Sequence, residues 1–193
     1  MPDVHSVAVF CGSHAGNAPV FRAAATEFGR ALAEASMRLI YGGGRVGLMG
    51  AIADAAISAG GTVIGVIPEF LTRWEVAHDG VADLIVTDSM HSRKRHMFEL
   101  ADVFVSFPGG LGTLDETIEI ITWRQLKLHD KPILICDVTG SAAPFLATIK
   151  AAIAADFATS ATRALYEVVT GVPAALQRLA HLHRAAQSEA ARL

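Results

Sequence analysis

Residues capable of chemistry cluster in the stretch Ser106-Phe107-Pro108-Gly109-Gly110-Leu111-Gly112-Thr113-Leu114-Asp115-Glu116. The apolar, β-rich run Val103-Phe104-Val105-Ser106-Phe107 predicts a buried strand, and Pro108 ends its hydrogen-bonding ladder. Gly109, Gly110 and Gly112 then let backbone N–H groups approach an anion where side chains would stand in the way. The helix that follows adds the positive end of its dipole. That is phosphate-binding chemistry. Glu116 lies one helical turn beyond Thr113, so a carboxylate faces the same crevice. A carboxylate repels a phosphate, so the acid must answer to another part of a ligand.

A second cluster is cationic. Arg93 and Lys94 fall in the first turn or two of a helix that Asp88 or Ser89 can cap, a place where cations gain nothing from the helix dipole. Spacing alone favours a solvated basic face there, with Arg95 and Glu99 paired along the helix. The histidines form no ligand set: His91 and His96 are five apart, and His181 and His183 are two apart on a helix, so no metal site is predicted. Cys11 ends an apolar run and reads as a buried strand-end thiol; as a nucleophile it lacks an assignable His or Asn partner. Trp74 and Trp123 read as packing residues, with Trp123 two turns beyond Glu116 and placed to wall a pocket.

The elements that must position these groups alternate regularly. Apolar runs predict strands at 6–11, 38–41, 62–67, 82–87, 103–107, 132–138 and 166–170. Helical spacing predicts helices at 18–36, 47–59, 113–128, 143–156 and 173–190, with another after Ser89 and a short one within 69–80. In the first helix Phe21, Ala24, Ala25, Phe28, Leu32 and Ala35 share the apolar face. Gly60-Gly61 stops the second helix, and Pro173 suits the first turn of the last. Strands separated by helices require crossovers, which predicts a doubly wound α/β domain, Rossmann-like, with a mostly parallel sheet covered on both faces. Ligands of such sheets sit at carboxyl ends of strands where the winding reverses. Glycine turns follow strands one, two and five, at Gly12, at Gly42-Gly43-Gly44 and at Gly109-Gly110, and are expected to converge.

Composition sets the bounds. The chain has 193 residues, 52% of them hydrophobic, which suits one well-filled domain spanning 1–193. A formal net charge of −3 gives no general pull toward nucleic acid or an anionic membrane, so neither is an expected partner. Two cysteines, Cys11 and Cys136, each end an apolar run and fit reduced thiols in a cytoplasmic protein. The start Met1-Pro2-Asp3-Val4-His5 lacks a signal-peptide pattern. The strict dinucleotide fingerprint is missing after strand one, which weakens a dehydrogenase reading.

Four motifs together are distinctive: Phe10-Cys11-Gly12-Ser13; Tyr41-Gly42-Gly43-Gly44 with Gly47-Leu48-Met49-Gly50; Met90-His91-Ser92-Arg93-Lys94; and Pro108 through Glu116. From about Val7 to Pro132 the chain resembles the Lonely Guy (LOG) family of cytokinin riboside 5′-monophosphate phosphoribohydrolases. The resemblance implies cleavage of the N-glycosidic bond of an N6-modified adenosine monophosphate, and of AMP as well, to free base and ribose 5-phosphate, without a cofactor. It implies Glu116 and Arg93 as catalytic residues, the phosphate on Gly109, Gly110, Leu111, Gly112 and Thr113, and Gly12, Ser13, Gly43 and Gly44 along the opposite wall. Met90 and Lys94 join the substrate-binding set, Met90 on the base side. It also implies a homodimer whose partner completes part of the site. Such families often carry the label lysine decarboxylase, but no lysine here is placed as a pyridoxal Schiff base. Lys127 stands where similar sequences have glycine, which bears on the far end of the base pocket. The competing expectation is a non-catalytic nucleotide or molybdenum-cofactor carrier on the same fold, which the glycine turns alone would satisfy.

Overall fold

The computed structural model describes residues 4–72 and 77–190, with side chains as far as Arg184. Trp74 lies outside the described residues. The elements run β1 (Ser6–Phe10), α1 (Pro19–Glu34), β2 (Arg38–Tyr41), α2 (Gly47–Ser58), β3 (Val63–Pro68), α3 (Glu69–Thr72) and β4 (Asp83–Thr87). They continue with α4 (Met90–Leu100), β5 (Val103–Ser106), α5 (Leu111–Gln125), β6 (Ile133–Asp137), α6 (Ala143–Ala154), a 3₁₀ turn (Ser160–Ala164), β7 (Glu167–Thr170) and α7 (Gly171–Ala190). Among the described residues, the 3₁₀ turn is the element that periodicity does not announce, because so short a segment has no repeat to read.

All seven strands are parallel, in the order β4-β3-β2-β1-β5-β6-β7. The chain winds outward from β1 to β4, then returns through α4 to lay β5 against the other side of β1, with Val7 beside Val103 and Phe10 beside Ser106. The winding therefore reverses between β1 and β5. Central strands are buried on both faces, which is why β1 and β3 read as continuous apolar runs without alternation. One face is sealed by Phe28 and Leu32 of α1, Leu48 and Ile52 of α2 and Leu179 of α7. The other is sealed by Met97 of α4, Ile120 and Ile121 of α5 and the partly buried Phe145 of α6. On α1 the expected face is buried at Ala24, Ala25, Phe28 and Leu32, whereas Ala35 has passed beyond the helix as its exposed C-cap.

Candidate active site

The three glycine turns meet at Gly12. Its N–H donates to the Pro108 carbonyl at 3.1 Å, and its own carbonyl accepts from Leu48 N–H at 3.0 Å and Met49 N–H at 3.3 Å. The loop after β1 is thereby tied both to the loop after β5 and to the start of α2. The turn after β2 joins through the Arg93 side chain. A Cβ at Gly42 would lie 2.1 Å from Arg93 Nη2, so only glycine leaves room for the guanidinium at the end of β2.

Arg93 is 6% exposed, so it is no part of a solvated basic face. Ser89 caps α4 in a reciprocal box with Ser92, and the Ser92 hydroxyl also donates to Asp88. This fixes where the first turn points. From there Arg93 Nε donates to the Val66 carbonyl at 3.1 Å and Nη2 to the Gly42 carbonyl at 3.1 Å, with Nη1 3.8 Å from Met90 Sδ. Nη2 also stands 4.0 Å from Glu116 Oε1. Glu116 is 9% exposed on α5. At that separation two charges attract by about 4 kcal/mol at an effective dielectric of 20.

The glycine cradle sits above this pair. Gly110 caps α5 in an extended conformation with no side-chain cap. A Cβ at Gly109 would lie 2.1 Å from Thr113 Oγ1, so that glycine is required by the protein's own packing. Cβ atoms at Gly110 and Gly112 would meet nothing within 4 Å, and neither has a positive φ. Thr113 is buried, its carbonyl accepting from Thr117 Oγ1 at 2.6 Å, while Thr117 shares a 2.8 Å hydrogen bond with Ser106 Oγ. The end of β5 thus sets the pitch of the first turn of α5.

Arg93, Glu116 and Thr113 line one cavity of about 320 Å³, together with Ser13, Met90, Gly110, Leu111 and Gly112. The volume lies at the lower end of the range for small-molecule sites. Of the other expected residues, Gly12 and Gly109 stand behind this lining and hold the turns together. Gly43, with φ of 77°, and Gly44 hold a different contact: Gly43 O accepts from His78 N–H at 3.1 Å, and Gly44 bridges Ala77. Lys94 does not reach the cavity. Its ammonium is fixed between Asp115 Oδ2 at 3.0 Å and Glu119 Oε2 at 3.1 Å. Partial burial opposes its charge, but the bonds to Asp115 and Glu119 outweigh that and hold its pKa above the ordinary value.

Five other lining residues were not assigned to the site from sequence: Val9, Cys11, His14, Gly42 and Met49. The signal for His14 is its place one residue beyond Gly12-Ser13; that for Met49 is its place inside the Gly47-Leu48-Met49-Gly50 motif, although its position in the wall depends on how α2 docks. Burial, reinforced by the Glu116 carboxylate, pushes the Cys11 thiol far above the usual thiol range, so it is a neutral part of the wall. Trp123 does not line this cavity and packs edge-on against Phe98 at 5.0 Å. His78 Nδ1 accepts from Gly80 N–H at 3.1 Å, which leaves Nε2 to donate to Asp54 at 2.9 Å. His78 thus braces segment 77–81 beside the Gly43 turn.

Lys127 has φ of 61°, the left-handed region that favours glycine. It is the C′ residue of a Schellman motif, with Leu128 N–H bonded to Trp123 O and Lys127 N–H to Arg124 O, both at 3.0 Å. The glycine expected there answers to helix termination, and Lys127 is not among the residues lining the cavity.

Residues 49–179 match the family described as possible lysine decarboxylase. Over 176 residues, covering 91% of this chain and 89% of the relative, the chain is 44% identical to the cytokinin riboside 5′-monophosphate phosphoribohydrolase of Rhodococcoides fascians. It is 38% identical over 173 residues to the Arabidopsis thaliana enzyme of that name, covering 90% and 81% of the two chains. Among solved structures, the molybdenum cofactor carrier protein of Chlamydomonas reinhardtii superposes with a TM-score of 0.68 at 24% identity, covering 92% of this chain and 96% of that one. At that identity the likeness speaks for the fold alone. Among the described residues that line the cavity holding Arg93 and Glu116 there is no lysine. The chain belongs to the LOG family, the family of the cytokinin riboside 5′-monophosphate phosphoribohydrolases.

Proposed function

We propose that this chain hydrolyses the N-glycosidic bond of N6-modified adenosine 5′-monophosphates, and of AMP, to the free base and ribose 5-phosphate. The observation that carries this reading is the buried Glu116 carboxylate beside Arg93, one turn below a glycine cradle whose Gly110 and Gly112 have open space at Cβ. Neither backbone strain nor packing requires those two glycines. A ligand drawn close to the N–H groups does.

Phosphate on the Gly110 to Thr113 turn places the ribose between the cradle and the carboxylate. Remote binding energy then positions the scissile bond. Water attacks C1′ as the bond to the base nitrogen breaks, the bonding electron pair leaves with the base, and the departing purine takes a proton from solvent water while Glu116 later returns its own to solvent. Glu116 stabilises the developing ribosyl cation and takes the proton of the attacking water. Arg93, 4.0 Å away, sets an opposite charge beside Glu116 and is itself anchored by the Val66 and Gly42 carbonyls. A guanidinium is a poor proton donor at neutral pH, so it does not protonate the leaving base. Val9, Cys11, Met49 and Met90 give the cavity an apolar side suited to a purine.

Incubation with AMP and with isopentenyladenosine monophosphate, followed by chromatography, is expected to release free base from both. Tight nucleotide binding without base release would favour the carrier reading, which has no use for a buried acid beyond a contact with ribose hydroxyls. We also place a second copy of the chain over α5, where Leu111, Leu114 and Ile118 are 85%, 40% and 43% exposed along one helical stripe that begins at the cavity. A dimeric mass in solution is the expected result, and a monomeric one refutes it. The buried free thiols of Cys11 and Cys136 agree with a cytoplasmic setting.

A further inference from the structure

Among the described residues, the cavity is short of positive charge for the ligand proposed above. A 5′-phosphate carries about −1.5 to −2 at neutral pH, and a helix N-terminus answers with roughly half a charge. Arg93 and Glu116 offset each other, and Arg93 is further committed to the Val66 and Gly42 carbonyls. Lys94 is held by Asp115 and Glu119, and Arg45 lies 3.5 Å from Asp79. Among the described residues, one further basic side chain lines the cavity, that of His14.

The place of His14 is fixed by its backbone. Gly12, two residues before it, is bonded to Pro108 at the foot of the cradle and to the first turn of α2. A Cβ at Gly47 would lie 2.3 Å from Ser13 C and 2.5 Å from His14 N, so the start of α2 is pressed against the Ser13-His14 peptide. The exposed imidazole stands at the lip of the cavity that Gly110, Leu111 and Gly112 line. Its Nδ1 lies 3.4 Å from Ser13 Oγ, and among the described residues no hydrogen-bond partner is found for Nε2.

Resting on the phosphoribohydrolase reading, we propose that His14, with Ser13, is the side-chain recognition element for the substrate's 5′-phosphate and selects nucleotide over nucleoside. The backbone cradle holds the anion from the α5 side, and the imidazole N–H donates to a phosphate oxygen from the β1 side.

The test pairs a binding measurement with a kinetic one on purified wild type and His14→Ala, each checked for an unchanged melting curve. Calorimetric titration with ribose 5-phosphate, which needs no turnover, is expected to show at least about tenfold weaker binding to the variant, the size of one hydrogen bond to a charged group. The ratio of kcat/KM for AMP to that for adenosine should fall by a similar factor, and His14→Gln should recover part of it. Unchanged ribose 5-phosphate affinity, or a parallel fall for AMP and adenosine, overturns the assignment. Weakened ribose 5-phosphate binding in a protein that releases no base from any nucleotide would refute the hydrolase reading and leave His14 as a phosphate ligand.

Discussion

Replacing Glu116 by Gln keeps shape and hydrogen-bonding reach while deleting one charge. A ribosyl cation developing about 4 Å from a carboxylate oxygen, the separation at which Arg93 already stands, is stabilised by about 4 kcal/mol at an effective dielectric of 20. Each 1.36 kcal/mol is tenfold in rate, so turnover should fall by about 10³. Stability should change far less. The variant loses the attraction of the Arg93 pair but also the several kcal/mol of desolvation that a buried carboxylate carries, and the two nearly cancel. A melting temperature within about 5 °C of wild type is expected for a domain of this size. The assay is base release from AMP under saturating substrate, read by chromatography, with a thermal melt of the same sample. Turnover within threefold of wild type, from a variant that melts normally, would refute the argument that this carboxylate meets the cation.

Gly110→Ala puts a methyl group into open space within the cradle; the fold should be unchanged or stabilised by about 0.5 kcal/mol, while KM for AMP rises at least tenfold, as a melt and initial-rate kinetics will show. Lys127→Gly relieves a left-handed backbone at the end of α5 and should raise stability by about 0.5–1 kcal/mol, or roughly 2–3 °C in a thermal melt. Arg178 grips Glu167 through Nε at 2.6 Å and Nη2 at 2.7 Å, joining α7 to β7, and that bond holds the Glu167 pKa below its ordinary value. The lowered pKa means that this stabilisation is present above the unfolded value of about 4.3 and is lost as pH falls through the folded one. Glu167→Gln should therefore cost up to about 1 kcal/mol at pH 7 and progressively less below pH 4.3, measured by denaturant melts across pH.

Much of the scaffold is local information. Gly and Pro mark strand ends, so β2 is legible to the residue and most other boundaries to within two or three. Thr113 and Glu116 share a face because they are one turn apart on one helix, and no tertiary contact is needed to bring them together. The short 3₁₀ turn and the tie of Gly43 and Gly44 to segment 77–78 were not legible, since neither carries a periodic pattern.

Arg93 is the opposite case. Its neighbours in sequence are Lys94 and Arg95, and nothing local separates the three: Arg93 is buried at a carboxylate, Lys94 is clasped by Asp115 and Glu119, and Arg95 is exposed. The difference arises because α4 must carry the chain from the edge strand β4 back to the far side of β1. That crossing lays its first turn over the ends of β3 and β2, where the Val66 and Gly42 carbonyls accept a guanidinium and a missing Cβ makes room for it. Strand order is a property of the whole sheet, so the sequence by itself determined the cradle and the acid, and only the tertiary structure decided which cation meets them.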